Sequence, residues 1–294
     1  MTRKENKMPS RPWSRTFVLL LGVAIAVPSL AWALEPLAVY ENWQEADRLI
    51  RSDRWRGDED SGGTEVARGI AGSGKLAHLA MRYRTEGFIV ASPPTGQVVA
   101  RNYMRFAQPT TITAIAARSI IHSLTLTPCP DNNSGGITSA QPLTLALARF
   151  NDGTSTGPAD RTGDVEGVIS AGRLGSSTDP TGVLQVTGSV IRSTGASGNF
   201  TSTLGSVTLG TVSVGHAFSL QVQWDQPNKQ FLFSLNNEAP MAVVYMQSDT
   251  AEAVGPFAQI FQRHGFANCD DAPTVIDETL MLHQVETNAS AVIP

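Results

Sequence analysis

Phe218-Ser219-Leu220-Gln221-Val222-Gln223-Trp224-Asp225 alternates apolar and polar side chains without a break, and Gln226-Pro227-Asn228 follows directly. Successive side chains of an extended chain point to opposite faces of a sheet. Phe218, Leu220, Val222 and Trp224 therefore share one face, and the polar residues take the other. A second run places Phe231, Phe233 and Leu235 on one face. Two such runs around a Pro/Asn turn predict a β-hairpin with a loop of three to five residues.

Working outward, comparable segments recur at 76–84, 102–107, 112–127 and 143–150 in the first half. They continue at 165–171, 182–191, 207–214, 241–246, 257–262 and 274–285. Clusters of Gly, Ser, Thr, Asn, Asp and Pro separate them, which is turn chemistry. Only 41–54 has the pattern of a short helix. The Gly/Ser/Thr-rich stretch 193–206 reads as a long loop or an edge hairpin, and no internal repeat is visible. About a dozen strands with almost no helix predict two stacked antiparallel sheets, an all-β sandwich.

Residues 1–33 read as a targeting segment rather than part of the fold. Arg3, Lys4, Lys7, Arg11 and Arg15 form a basic leader, an apolar stretch follows at 17–30, and Ala31-Trp32-Ala33 supplies a cleavage site. The apolar stretch is short for a span of about 20 residues, and Pro28 lies near its end. Cleavage is expected, which leaves 34–294 as a single sandwich domain. It would be exported to the periplasm or beyond, with no transmembrane span after cleavage.

The whole chain carries a net charge of −4, and removal of the basic leader takes the remainder to −8. Such acidity argues against a nucleic-acid partner and against a polybasic membrane surface. Beyond residue 33 there are two lysines, Lys75 and Lys229, against 15 arginines. Arginine presents a planar fork suited to carboxylates or sulfates. Cys129 and Cys269 are the two cysteines. In an oxidising compartment they are expected to form one disulfide, contributing about 4–5 kcal/mol on the chain-entropy model.

Three stretches resemble the concanavalin A-like lectin/glucanase superfamily, which includes laminin-G-like modules. Tyr40-Glu41-Asn42-Trp43 with Ser52-Asp53-Arg54-Trp55 is similar to its entry strand. The 218–225 run with Lys229-Gln230-Phe231-Leu232-Phe233-Ser234-Leu235-Asn236 is similar to its central hairpin. Ala272-Pro273-Thr274-Val275-Ile276-Asp277-Glu278-Thr279-Leu280-Met281-Leu282 is similar to its closing strand. The resemblance implies a jelly-roll sandwich with one concave, often glycan-facing sheet, and no single activity.

Glucanases of that superfamily carry three spaced acids on one strand, so that two carboxylates flank a glycosidic bond. Asp164 and Glu166 share a face, but Val168 follows where the third acid would stand, and the adjacent Asp277 and Glu278 must face oppositely. No catalytic set is assigned. Lyase chemistry needs a base and a group that neutralises a uronate carboxylate. Gln259-Ile260-Phe261 resembles an alginate-lyase element with Phe261 in place of histidine, and His264 should face the side opposite Phe261.

For binding, Arg101, Tyr103 and Arg105 alternate onto one strand face, and His78, Arg82 and Arg84 onto another. Forked donors beside an aromatic platform suit a glycan, although a solvated sheet face has the same composition. With Gln259 and His264, these are the candidate ligand residues. Asp152, Asp160 and Asp164 form an oxygen-rich cluster that suits a structural calcium or plain turn chemistry, as do Asp131-Asn132-Asn133 and Asp270-Asp271. No other cofactor is expected. Gly69 to Lys75 lacks the Ser or Thr of a phosphate loop and reads as a glycine turn. Arg56-Gly57-Asp58 reads as a polar loop. The function expected first is a non-catalytic module for carbohydrate or another surface polymer. The alternatives are an atypical polysaccharide lyase or hydrolase, and a structural envelope protein without a small ligand.

Overall fold

The computed structural model describes residues 34–44, 53–61, 65–87, 98–128, 138–199, 201–267, 269 and 272–292. In chain order the strands are β1 (Leu37–Glu41), β2 (Trp55–Ser61), β3 (Glu65–Ala71), β4 (His78–Glu86) and β5 (Val98–Phe106). Then come β6 (Ala114–Thr127), β7 (Ser139–Asn151), β8 (Asp164–Leu174), β9 (Val183–Ser193) and β10 (Thr201–Ser213). The last are β11 (Ala217–Asp225), β12 (Gln230–Leu235), β13 (Met241–Val244), β14 (Ala251–Phe266) and β15 (Val275–Asn288). Helix among the described residues is limited to single 3-10 turns, and no helix there is long and apolar enough to cross a membrane.

The expected antiparallel two-sheet, jelly-roll sandwich is what forms. An eight-stranded sheet runs β13-β12-β11-β6-β15-β4-β3 with β1 added on β15, and a seven-stranded sheet runs β10-β9-β8-β7-β14-β5-β2. The hairpin that opened the sequence reading is β11 and β12, closed by a 3-10 turn over Gln226–Asn228 and Lys229 at φ 49°. Its apolar set, Phe218, Leu220, Val222, Phe231, Phe233 and Leu235, faces the core. Opposite it stand Leu143, Leu145, Leu147, Val165, Ile169, Leu184, Val186 and Val190 from the other sheet. Burying these side chains between two layers is the main stabilising contribution.

The sheets approach closely where the seven-stranded sheet has no side chain. A Cβ on Gly167 would overlap the ring of Phe231, and one on Gly188 would overlap Phe233. Tyr40, Trp43, Trp55 and Phe106 close one end of the core, with Tyr40 and Trp55 edge to face at 5.5 Å and Trp43 and Trp55 stacked at 6.1 Å.

Several expectations are corrected. Arg56-Gly57-Asp58 is not in a loop but in β2, and Gly69 lies inside β3, which runs on to Ala71 before the turn. The turn is made by Gly72 at φ 78° and the 3-10 residues Gly74–Leu76. The 193–206 stretch, by contrast, meets one of its two expected forms, the edge hairpin, since β10 pairs with β9 at the rim of the seven-stranded sheet. The leader, most of the proposed 41–54 helix, the acid loops at 131–133 and 270–271, and Cys129 lie outside the described residues.

Candidate functional site

The outward face of the seven-stranded sheet brings polar and aromatic groups from several strands together. On β5 the side chains alternate between a buried inner set, Ala100, Asn102, Met104 and Phe106, and a half-buried outer set, Arg101, Tyr103 and Arg105. Antiparallel pairing with β14 sets Arg101 opposite Arg263, Tyr103 opposite Phe261 and Arg105 opposite Gln259. Tyr103 and Phe261 rings are 5.9 Å apart, and the Arg105 guanidinium lies 5.1 Å from the Tyr103 ring centre.

Small side chains on the next strand form a low row between taller neighbours, a trough that the flanking side chains largely cover. β7 presents Thr144, Ala146 and Ala148 outward, each about 1% exposed despite facing away from the core. They are overhung by Phe257, Gln259 and Phe261 of β14 on one flank, and by Glu166, Val168 and Ser170 of β8 on the other. The Thr144 hydroxyl on the floor has no hydrogen-bond partner among the described residues.

At one end the trough opens into a cavity of about 520 Å³ lined by Gln141, Ser170, Gly172, Gln185, Thr187 and Ser189, among others. Its outer wall, the 175–182 loop, is held by Arg173, which donates to the carbonyl oxygens of Ser177, Asp179, Pro180 and Val183. At the other end a cavity of about 320 Å³ lies among Arg56, Arg105, Pro109, Pro256 and Phe257. The hydroxyls and amides of the first cavity, with apolar surface between them, fit a polyhydroxylated ligand, while the second cavity is lined mostly by Phe, Pro and Ala beside two arginines.

Electrostatics single out two groups here. Burial pushes the Glu166 carboxyl up to about 7; Arg161 and Arg101 pull it back, and Asp164 adds to the rise. No hydrogen-bond donor among the described residues reaches that carboxylate, and its cross-strand neighbours, Ala148 and Ile191, are apolar. Arg263 is lowered from the usual arginine range by burial and then by the charge of Arg101. Glu166 and Arg263 were not singled out as ligand residues from the sequence. Their only local signal is alternation relative to Tyr103 and Gln259, which needs the strand pairing before it becomes informative.

The candidate residues do not converge. Arg101, Tyr103, Arg105 and Gln259 share the trough. His78, Arg82 and Arg84 lie on the outward face of the opposite sheet, so they cannot join the same site. There Arg82 grips Asp277 through both carboxylate oxygens at 3.1 and 2.8 Å, and Arg84 meets Asp277 and Glu86. The His78 ring lies 5.1 Å from His283.

His264 is corrected from a candidate ligand residue to an interior one. It is fully buried between the sheets, 3.2 Å from the equally buried Glu278, with Nδ1 3.0 Å from Thr85 Oγ1 and its ring 4.6 Å from Tyr83. Burial pushes the Glu278 carboxyl up, more than His264 and Gln262 pull it down. Gln262 continues the network by accepting from Asn102 Nδ2 at 2.7 Å, and Arg68 crosses from β3 to donate to Asn102 Oδ1.

The aspartate cluster does not offer a cation cage. Asp152 pairs with Arg192 and caps Thr154, and Asp160 accepts from Thr162 and Thr156, which hold its carboxyl well below the usual range. Asp164 accepts from Val254 N, Gly255 N and Asn151 Nδ2 at 2.8–2.9 Å. These oxygens are spent on turns and strand ends, and no group of three His, Cys, Asp or Glu converges among the described residues. Asp164 is therefore a strand clamp beside Glu166. Cys269 is buried, its Sγ 3.2 Å from Thr274 Oγ1.

The sequence matches no protein-family model and no curated protein sequence. In fold, the chain is similar to a glycoside hydrolase family 16 endo-glucanase from Bacteroides ovatus, at 12% identity over 81% of this chain and 96% of that one, TM-score 0.42. It is also similar to the Emp46p carbohydrate recognition domain in its potassium-bound form, at 9% identity over 85% and 95%, TM-score 0.38. Lectin II from Ulex europaeus is a third, at 11% identity over 79% and 98%, TM-score 0.30. At these identities the likeness is one of fold alone.

Proposed function

We propose that this chain is an exported, non-catalytic module that binds a carbohydrate or another surface polymer along the trough of the seven-stranded sheet. The observation that carries the proposal is the trough itself. Its floor is made of small side chains, aromatic rings and guanidinium groups stand on one flank, and a hydroxyl-lined cavity opens at the end. Rings supply a stacking platform for a pyranose face, while amides, hydroxyls and guanidinium forks bond its hydroxyls. The leader at 1–33 would direct export, and a Cys129–Cys269 disulfide would belong to that compartment.

A panel of soluble polysaccharides measured by isothermal titration and affinity electrophoresis tests this reading. Tyr103→Ala should weaken the tightest ligand at least about tenfold, the size of a lost stacking contact with its ordered water. A panel without binding, or binding indifferent to Tyr103, would remove it. N-terminal sequencing of the exported form checks for a start at Leu34.

A second reading, an atypical lyase or hydrolase, has one observation in its favour: Glu166, with a carboxyl near neutrality, is suited to proton transfer. Reducing-end release or new double-bond absorbance across the same panel, abolished by Glu166→Gln, would favour it over the binding module.

A further inference from the structure

We infer that the polymer taken by the trough is acidic, bearing carboxylate or sulfate-ester groups, and that Arg101 and Arg263 together form the subsite for one such oxyanion. The inference rests on the binding reading above and narrows its ligand to a chemical class.

The two arginines are register partners across β5 and β14. Directly opposed residues hold their Cβ atoms about 5 Å apart, and like charges in that arrangement destabilise a sheet. Elsewhere the fold answers its part-buried arginines. Arg82, Arg84, Arg161 and Arg192 each meet an aspartate, and Arg149 and Arg173 each donate to several carbonyl oxygens. Arg101 and Arg263 have no such answer among the described residues. Among the described residues no carboxylate lies within ion-pair distance of either, and the Arg101 Nε is buried without a hydrogen-bond partner. Glu166 is the acid whose charge Arg101 feels, and burial raises its carboxyl to about 7, so near neutral pH it is only part ionised.

An acidic chain with 26 carboxylate side chains has ample partners for two guanidinium groups. Leaving them side by side and half-buried costs stability that folding does not require. An oxyanion seated between the two forks removes the repulsion and receives charge-assisted bonds from both. The next residue across the sheet is Gln141, in register with Arg263, and it leads into the Ser/Thr/Gln-lined cavity. A charged group at the arginine pair and uncharged hydroxyls beyond it match a glycan with one anion per ring or per disaccharide.

The test uses the full chain and four probes: polygalacturonate, the same polymer with its carboxyls reduced to alcohols, a sulfated galactan, and a single-stranded oligonucleotide. At low salt an acidic glycan should bind at least about tenfold more tightly than the neutral polymer, and high salt should erode the difference. The carboxylate and sulfate arms tell which oxyanion is taken. Arg101→Gln and Arg263→Gln should each cost the acidic glycan on the order of ten- to a hundredfold. Arg118→Gln, an equal charge change on the opposite sheet, should stay within about twofold. Should a Gln variant fail to fold, Arg263→Lys keeps the charge without the fork and should recover only part of the affinity. Equal binding of acidic and neutral polymers, or an acidic preference untouched by either substitution, overturns the subsite and leaves the binding module standing. No glycan binding overturns both, and preference for the oligonucleotide overturns the glycan assignment.

Discussion

Replacing Glu166 with glutamine should stabilise the protein above neutral pH. The carboxyl stands on β8 between Ala148 and Ile191, and no donor among the described residues bonds it. Burial is the largest influence on it and moves its pKa from 4.5 to about 7 in the folded chain. The folded state thus holds this proton more tightly than the unfolded state does. Its contribution is complete below pH 4.5 and is lost as pH climbs through about 7. At about 1.4 kcal/mol per pH unit the interval corresponds to roughly 3 kcal/mol, and partial solvation of the side chain trims this to about 1–3 kcal/mol. Glutamine has nearly the same shape and no charge. Urea unfolding followed by tryptophan fluorescence should give curves that nearly coincide with wild type at acid pH. Above pH 8 the variant should be more stable by about 1–3 kcal/mol. Subtracting the two proteins at each pH cancels every other titration. A difference that stays flat with pH, or a glutamine variant weaker than wild type in alkali, would refute the idea that burial raises this carboxyl.

Gly188→Ala should cost about 1–3 kcal/mol, because its methyl meets the Phe233 ring from the facing sheet, and Phe233→Leu in the same chain should return part of the loss. Purely additive effects in denaturant titrations would show that the two residues do not touch. Glu278→Leu and His264→Leu should each cost on the order of 3–5 kcal/mol by stranding a buried polar partner, whereas the double variant should cost clearly less than their sum. A double-mutant cycle measures this directly, and a coupling near zero would dissolve the interior pair.

Legibility in the sequence followed the depth of the strand. The β11–β12 hairpin and the alternation of β4 and β5 were readable because one face of each is core and the other is not. β2 and β3 were not recognised: Trp-Arg-Gly-Asp-Glu-Asp-Ser is mostly charged, and Glu-Val-Ala-Arg-Gly-Ile-Ala has weak alternation. Both are terminal strands of their sheets, and their pairing with β5 and β4 makes them extended, not their own composition. β7 was readable as a strand but not as the floor of a trough, since the meaning of Thr144, Ala146 and Ala148 depends on the bulk of Phe257, Phe261 and Glu166 beside them.

Local order alone determined that this polypeptide is extended, layered and punctuated by turns, because side-chain alternation and Pro, Gly and Asn chemistry act over a few residues at a time. It also put His264 and Phe261 on opposite sides of one strand. Which of those sides is interior was decided only when two sheets stacked: His264 then met Glu278 in the dry space between them, while Arg101 and Arg263 were left facing each other outside. Pairings of β14 with β5 and β7 join residues more than about a hundred apart and leave no trace in any short window; they build the aromatic and arginine flank of the candidate site, while its other flank comes from the nearby β7–β8 pairing.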